Sequence, residues 1–499
     1  MRSNTVCNAQ KAWCAALGGI HRSIACTLAG LTFGSAAAAA DLDYLRGLLA
    51  STPAGGWVKA STNLYSDAWA SEAEGGVSAS AFATYSNPAA VVTSWSSVAW
   101  DPNRSNLLLW GGGHAAYAGN EMYVWRGGDG TWTRGSLPSR KYFAGNDTYF
   151  VVDSLAPQSA HTYDNNVFLP INDRFLSFGG AIFGTGNAWQ TPDASGNPTL
   201  AGPWVWDPNK ADPNKVGGST SSGYLASSEG GEMWSNRVGS YTGTFGGSSI
   251  DGTSAYRVEN GRDVVYLTRD SNASGFPFLY RYEPGDVETG ELDRWDVVAR
   301  SRNASSSQSA AAIDSHNDLY VRISNRANAY DFGLGVWDLN RTNASDPMST
   351  IDTFVELVLA DGTRFETTRE FGIAFDEVNG RFVLWDGRDR GTVYHTTPEL
   401  AADGSVMSTW LVEPVSSTTA EQPNGNFLNG VLGKWLYVAE LGAFIALDEY
   451  QPSTSDAAVW LYKPFTAPIP EPGSALMLLT GTMALVFLRR RQQQGNQGR

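Results

Sequence analysis

The stretch that decides the fold is GIAFDEVNGRFVLWDG, Gly372–Gly387. An apolar run, Ile373–Phe375, ends on Asp376. Glu377-Val378-Asn379-Gly380 then supplies turn chemistry, and a second apolar run, Phe382–Trp385, closes on Asp386-Gly387. Two short β-type runs around an Asn-Gly turn predict a hairpin. Neither run alternates strictly between polar and apolar, so both faces of this hairpin are expected to be covered. A third run, TVYHTTPE (Thr392–Glu399), and a fourth, STWLVEPV (Ser408–Val415), follow.

This grammar recurs along the chain. It appears at Ser96–Ser136, Asn165–Asn209, Ala255–Ala299, Ala310–Leu359, Gly372–Val415 and Asn429–Pro464. Each unit opens with an apolar strand and a turn rich in Asn, Gly or Asp. A second apolar strand follows, then a third marked by YVW, VWD, YRY or VWL. In several units a short fourth strand starts on Trp, as at Trp132, Trp295 and Trp410. Four hairpin-linked strands repeated in this way predict an all-β propeller of four-stranded blades. The last unit stops at Lys463-Pro464, and the Trp-first run it lacks stands near the other end of the chain, GGWVKAS, Gly55–Ser61. That N-terminal strand is expected to complete the final blade. The count is six, with a seventh as an alternative in Lys210–Ile250, where GTFGG echoes a strand end. The repeats over about residues 55–464 resemble kelch and galactose-oxidase-like propellers. The phrase LLLWGGGHAAYAGNEMY is similar to one in bacterial secreted kelch-like proteins, some of which are polysaccharide lyases.

Composition restricts the partners. The 499 residues carry 35 Lys and Arg against 50 Asp and Glu. Setting aside residues 1–40 (three basic groups) and 471–499 (four arginines and Glu471) leaves 28 basic and 49 acidic residues, a net of −21. No nucleic-acid partner is expected for such a body, and anionic surfaces repel it. Cys7, Cys14 and Cys26 all fall within the first forty residues, so residues 41–499 hold no thiol. No cofactor or metal is expected. A radical cofactor of the galactose-oxidase kind joins a tyrosine to a cysteine, and no cysteine is available for it. Walker, dinucleotide-binding, HExxH and EF-hand patterns are absent.

The two ends read as an address. Arg2, Lys11 and Arg22 precede an apolar run, Ile24–Phe33, and GSAAAAAD, with small residues at Ala38 and Ala40 before Asp41. This predicts a Sec-type signal peptide over 1–40. The propeller body then spans 41–467, with a helix at Asp41–Ala50. At the other end, Pro470-Glu471-Pro472-Gly473 leads into Gly473–Leu488, which carries no charge, and then into Arg489, Arg490 and Arg491. Sixteen helical residues reach roughly 24 Å, marginal for a permanent span and adequate for a temporary one. The arginines would stay cytoplasmic. Residues 468–499 resemble the PEP-CTERM sorting signal of Gram-negative bacteria that make exopolysaccharide. The resemblance implies an exosortase-type protease as partner, cleavage near Pro-Glu-Pro, transient inner-membrane anchoring, and a final place at the cell surface or in the matrix.

Few residues outside this address suit chemistry. His114 follows three glycines in GGGHAAYAGNE, whose Tyr117, Asn120 and Glu121 are candidate binding residues at one end of the channel. His161 and Tyr163, in SAHTYDNN, are spaced to point the same way on a strand and to join His114 near the axis. For each, the other reading is structural: packing at the rim, or bonding to loop backbone. His316, in the turn DSHND, reads as surface, and His395, in VYHTT, follows a third strand. Two functions stay open. One is an exported matrix or surface propeller that binds glycan or protein through channel-end loops. The alternative is a carbohydrate-active enzyme, foremost a polysaccharide lyase, with His114, His161 and Tyr163 catalytic. A lyase also needs a cation for the uronate, and Arg140, Arg174, Arg322 and Arg369 qualify only by type.

Overall fold

A computed structural model describes residues 42–76 and 87–466, except 115, 146–147, 185, 187–188, 193–197, 201, 244–249, 251, 270–276, 303, 306–307, 327–331, 426 and 452–455. The expected signal peptide and the tail, with Pro470–Gly473 and Arg489–Arg491, lie outside the described residues. Among the described residues no helix is long and apolar enough to cross a membrane.

The predicted hairpin forms. Strands β18 (Gly372–Asp376) and β19 (Arg381–Trp385) pair antiparallel, with Asp376 opposite Arg381. The aspartate explains the recurring grammar. Asp376 is fully buried, and its carboxylate accepts from Asn379 N and Nδ2. Asp101 serves Asn103 N and Arg104 N, and Asp314 serves His316 N and Asn317 N, in the same way. Each satisfies turn amides that would otherwise be left without partners. The second unit has Leu169 at this position, and Asp263 of the next sheet takes the amides of Ile171 and Asn172 instead.

The fold is an all-β, propeller-like ring. After the helix α1 (Asp43–Ser51) and β1 (Gly56–Lys59) come β2 (Val98–Asp101), β3 (Asn106–Leu109), β4 (Tyr123–Arg126) and β5 (Thr131–Arg134), which form one sheet. A second holds β6 (Asn166–Leu169), β7 (Arg174–Ser177), β8 (Trp204–Trp206) and β9 (Trp234–Asn236). A third holds β10 (Thr253–Glu259), β11 (Arg262–Thr268), β12 (Phe278–Glu283) and β13 (Asp293–Arg300), with Tyr241–Gly243 added parallel to β13. Next come β14 (Ala311–Asp314), β15 (Leu319–Arg326), β16 (Phe332–Asp338) and β17 (Thr353–Val358), then β18, β19, β20 (Val393–Thr396) and β21 (Thr409–Val415). The last three are β22 (Trp435–Val438), β23 (Ala443–Leu447) and β24 (Val459–Lys463), completed by β1 against β24 with Trp57 opposite Tyr462.

The hydrogen bonding departs from a set of separate four-stranded blades. Three sheets have four strands and one has five. The runs β14–β17 and β18–β21 merge into a ten-stranded sheet through a parallel contact of β17 with β21. Nor does Lys210–Ile250 form a blade among its described residues. Trp234–Asn236 is instead the outer strand of the second sheet, and Tyr241–Gly243 joins the third. The first strands touch in a closed circuit: β2, β6, β10, β14, β18, β22 and back to β2.

Apolar clusters fill each gap between successive sheets. Leu107 and Leu109 of β3 face the last sheet, and Leu108 faces the second. Strands covered on both faces therefore lack polar alternation. The helix α1 lays Leu45 and Leu49 over the gap between the last and first sheets.

Candidate functional site

The segments leading into the first strands, and the loops joining second to third strands, gather at one end of the axis. The glycine run shapes this end. Gly111, Gly112 and Gly113 have φ of 154°, 115° and 63°, conformations that side chains disfavour. A Cβ on Gly113 would stand 2.1 Å from His161 N, and one on Gly180 would stand 1.7 Å from His161 O. Bare backbone on both sides thus wedges the segment Ala160–His161 between two loops. Ala181 O accepts from both His114 N (3.3 Å) and His161 N (2.9 Å).

The expected trio is brought together. His114 is exposed, and its ring centroid lies 5.8 Å from that of His161. His161 is only 2% exposed and meets the Tyr163 ring edge-on at 6.0 Å. Tyr163 is buried at φ 49°, with its N–H donated to Trp95 O. Burial, and to a lesser extent the neighbouring His114, pushes the His161 imidazole down to about 3. Its Nε2 is buried without a hydrogen-bond partner among the described residues. The ring is therefore neutral at ordinary pH and weakly basic.

Two residues that sequence reasoning missed complete the cluster. The half-buried Trp95 ring lies 4.8 Å from His161, and its Nε1 donates to Gln308 Oε1 at 2.7 Å. Trp95 leads into β2 and Gln308 into β14, which lie opposite each other on the ring, so this bond bridges the axis. Beside it, Asp164 Oδ2 accepts from Ala311 N, and Asp164 O accepts from Ser254 N. Together these bonds lay a polar floor across this end of the axis. Local signals for Trp95 and Gln308 are weak: each stands just before a repeat unit, Ser96–Ser136 or Ala310–Leu359, but neither belongs to the recurring pattern.

The candidate binding residues Tyr117, Asn120 and Glu121 turn inward, each 3% exposed or less. The Glu121 carboxylate accepts from the Tyr117 and Tyr123 hydroxyls, both at 2.6 Å. Asn120 bonds Ser139 N and Pro157 O. These groups hold the loop that presents His114. The four arginines scatter. Arg174 pairs with Glu288 and Asp207, Arg322 is fully buried and bonds Thr268 and Ser309, and Arg140 and Arg369 are exposed. His316 is a surface residue beside Glu377, and His395 is buried in β20. Among the described residues no group of three or more His, Cys, Asp or Glu side chains could hold a metal ion.

No protein-family model and no curated protein matches the chain. Solved structures similar to it include an α-L-arabinanase of Penicillium chrysogenum complexed with arabinobiose, with 9% identity and a TM-score of 0.40. That match covers 74% of this chain and 93% of the other. The GH93 α-L-arabinofuranosidase of Fusarium graminearum with arabinobiose matches at 10% identity and 0.35, over 74% and 92%. An endo-arabinase of Bacteroides thetaiotaomicron matches at 10% and 0.30, over 67% and 96%. At these scores the likeness carries no argument about activity.

Proposed function

We infer that this chain is a kelch-like propeller of six blades, exported and sorted through a PEP-CTERM-type tail, that binds glycan at one end of its axis. The closed circuit of six first strands supports the count. The ten-stranded sheet is read as two blades touching at their outer edges. The observation that carries the binding site is the cluster of tilted rings at the axis: exposed His114 beside buried His161, with Trp95 tied to Gln308. Ring faces suit the apolar side of a sugar, and convergent polar groups suit its hydroxyls.

Binding is favoured over lysis by the chemistry of His161. A general base works best with a pKa near the operating pH, and burial holds this imidazole near 3. The full chain should retain neutral polysaccharide in co-elution experiments, and His114→Ala should reduce that retention tenfold or more. Unchanged retention would overturn the site. New ultraviolet absorbance with chain shortening would instead establish a lyase. The tail reading assigns Pro470–Gly473 to the exosortase-type protease, Gly473–Leu488 to temporary anchoring in the inner membrane, and Arg489–Arg491 to its cytoplasmic stop.

A further inference from the structure

A second site lies away from the axis, where residues 60–76 wrap the outer edge of the first sheet. Thr62 N donates to Gly130 O, and the Asn63 amide bonds both backbone groups of Trp132, at 2.6 and 3.0 Å. The chain then turns through Tyr65–Ala68 and Glu72–Glu74. Between these turns and β5 an open cavity of about 300 Å³ remains. Asp67, Trp69, Ser71, Glu74, Trp132 and Arg134 line it.

The wall is built rather than incidental. Tyr65 packs edge-on against both indoles, 5.7 Å from Trp69 and 5.2 Å from Trp132. Trp69 rests in turn on Tyr450, 5.6 Å away. Glu74 is tied by Ser71 N and Oγ at 2.9 and 2.7 Å, and faces the Arg134 guanidinium at 3.6 Å. Arg134 Nε is held by Pro213 O. The Trp132 indole N–H is buried without a hydrogen-bond partner among the described residues. The half-buried Trp69 indole, backed by the buried Trp132, stands beside the carboxylates of Asp67 and Glu74 and the Arg134 guanidinium, and offers an edge for a sugar's C–H face with partners for its hydroxyls.

We propose that this cavity is a peripheral subsite for a neutral sugar unit of a glycan chain. Its size lies at the lower limit of small-ligand pockets, roughly 300–1,000 Å³. Charge decides between neutral and acidic sugars. Asp67 and Glu74 outnumber Arg134, which is already engaged by Glu74, and the body around them is strongly acidic, so a uronate would be repelled. A peripheral subsite on a propeller that also binds at its axis would let one molecule hold a chain at two places, raising avidity without new contacts at either.

The test is calorimetric titration of the full chain with cellohexaose, xylohexaose and, as the acidic control, hexagalacturonate. At least one neutral probe should bind, with hexagalacturonate tenfold weaker or worse. Trp69→Ala, and Thr133→Trp, which fills the cavity from the strand, should each weaken the neutral probe tenfold or more while circular dichroism stays native. Unchanged affinity in both variants, equal binding of hexagalacturonate, or no binding of either neutral probe would overturn the subsite. The axial site fails separately. Loss in Trp69→Ala without loss in His114→Ala upholds the cavity and overturns the axis, and the reverse pattern upholds the axis and overturns the cavity.

Discussion

At the scale of single residues, burial sets the charge state of the histidines. His395 is 6% exposed, with Nε2 lacking a hydrogen-bond partner among the described residues. Burial pushes it down to about 3, and Arg381 adds to the effect. The folded state thus binds fewer protons than the unfolded chain between that value and about 6.5. The resulting stability is fully present above about 6.5 and is lost as pH falls towards 3. Replacing His395 by Gln removes this term. Thermal midpoints measured against pH should show the variant gaining on the wild type by about 1.4 kcal/mol per pH unit between pH 6 and 4. Parallel curves for the two proteins would show that His395 does not titrate this way. His161 carries the same sign, so acid should loosen the axial cluster too.

Among elements, β1 closes the ring. Trp57 is 2% exposed, donates Nε1 to Gly391 O at 2.9 Å, and packs against Trp385, Trp435 and Tyr462 at 5.3, 5.5 and 5.1 Å. It joins the last two sheets as well as latching the strand. Trp57→Ala should cost about 3–5 kcal/mol, read as a lower urea midpoint. A loss under about 1 kcal/mol would mean the latch does not hold the ring together. The turn aspartates act at the same scale. Their recurrence is legible because Asp at the end of a strand, followed by Asn or Gly, satisfies amides two and three residues on. That chemistry needs no distant partner.

For the whole molecule, the proposed sorting role of the tail is expected to be separable from the folding of the body. Deleting Pro470–Arg499 should abolish cell-surface localisation while leaving the propeller folded, measured by fractionation and circular dichroism. Surface localisation that survives the deletion would refute the sorting role. The closed circuit of first strands follows from the same repeats that the sequence displays, since each sheet buries both faces only when a neighbour stands on each side.

What the sequence determined by itself is the set of short strands, their turns, the latch and the acidic balance, because each is written in a window of a few residues or in composition alone. Tertiary structure alone decided the rest. The second sheet takes its outer strand from Trp234–Asn236, beyond the repeat unit that the pattern marked. Tyr117, Asn120 and Glu121 look like ligand-facing polar residues, yet they are buried, with Glu121 accepting from Tyr117 and Tyr123 and Asn120 bonding Ser139 and Pro157. The axial floor depends on Trp95 meeting Gln308 across 213 residues. Only ring closure sets that meeting, because no local periodicity relates two residues on opposite sides of a closed circuit.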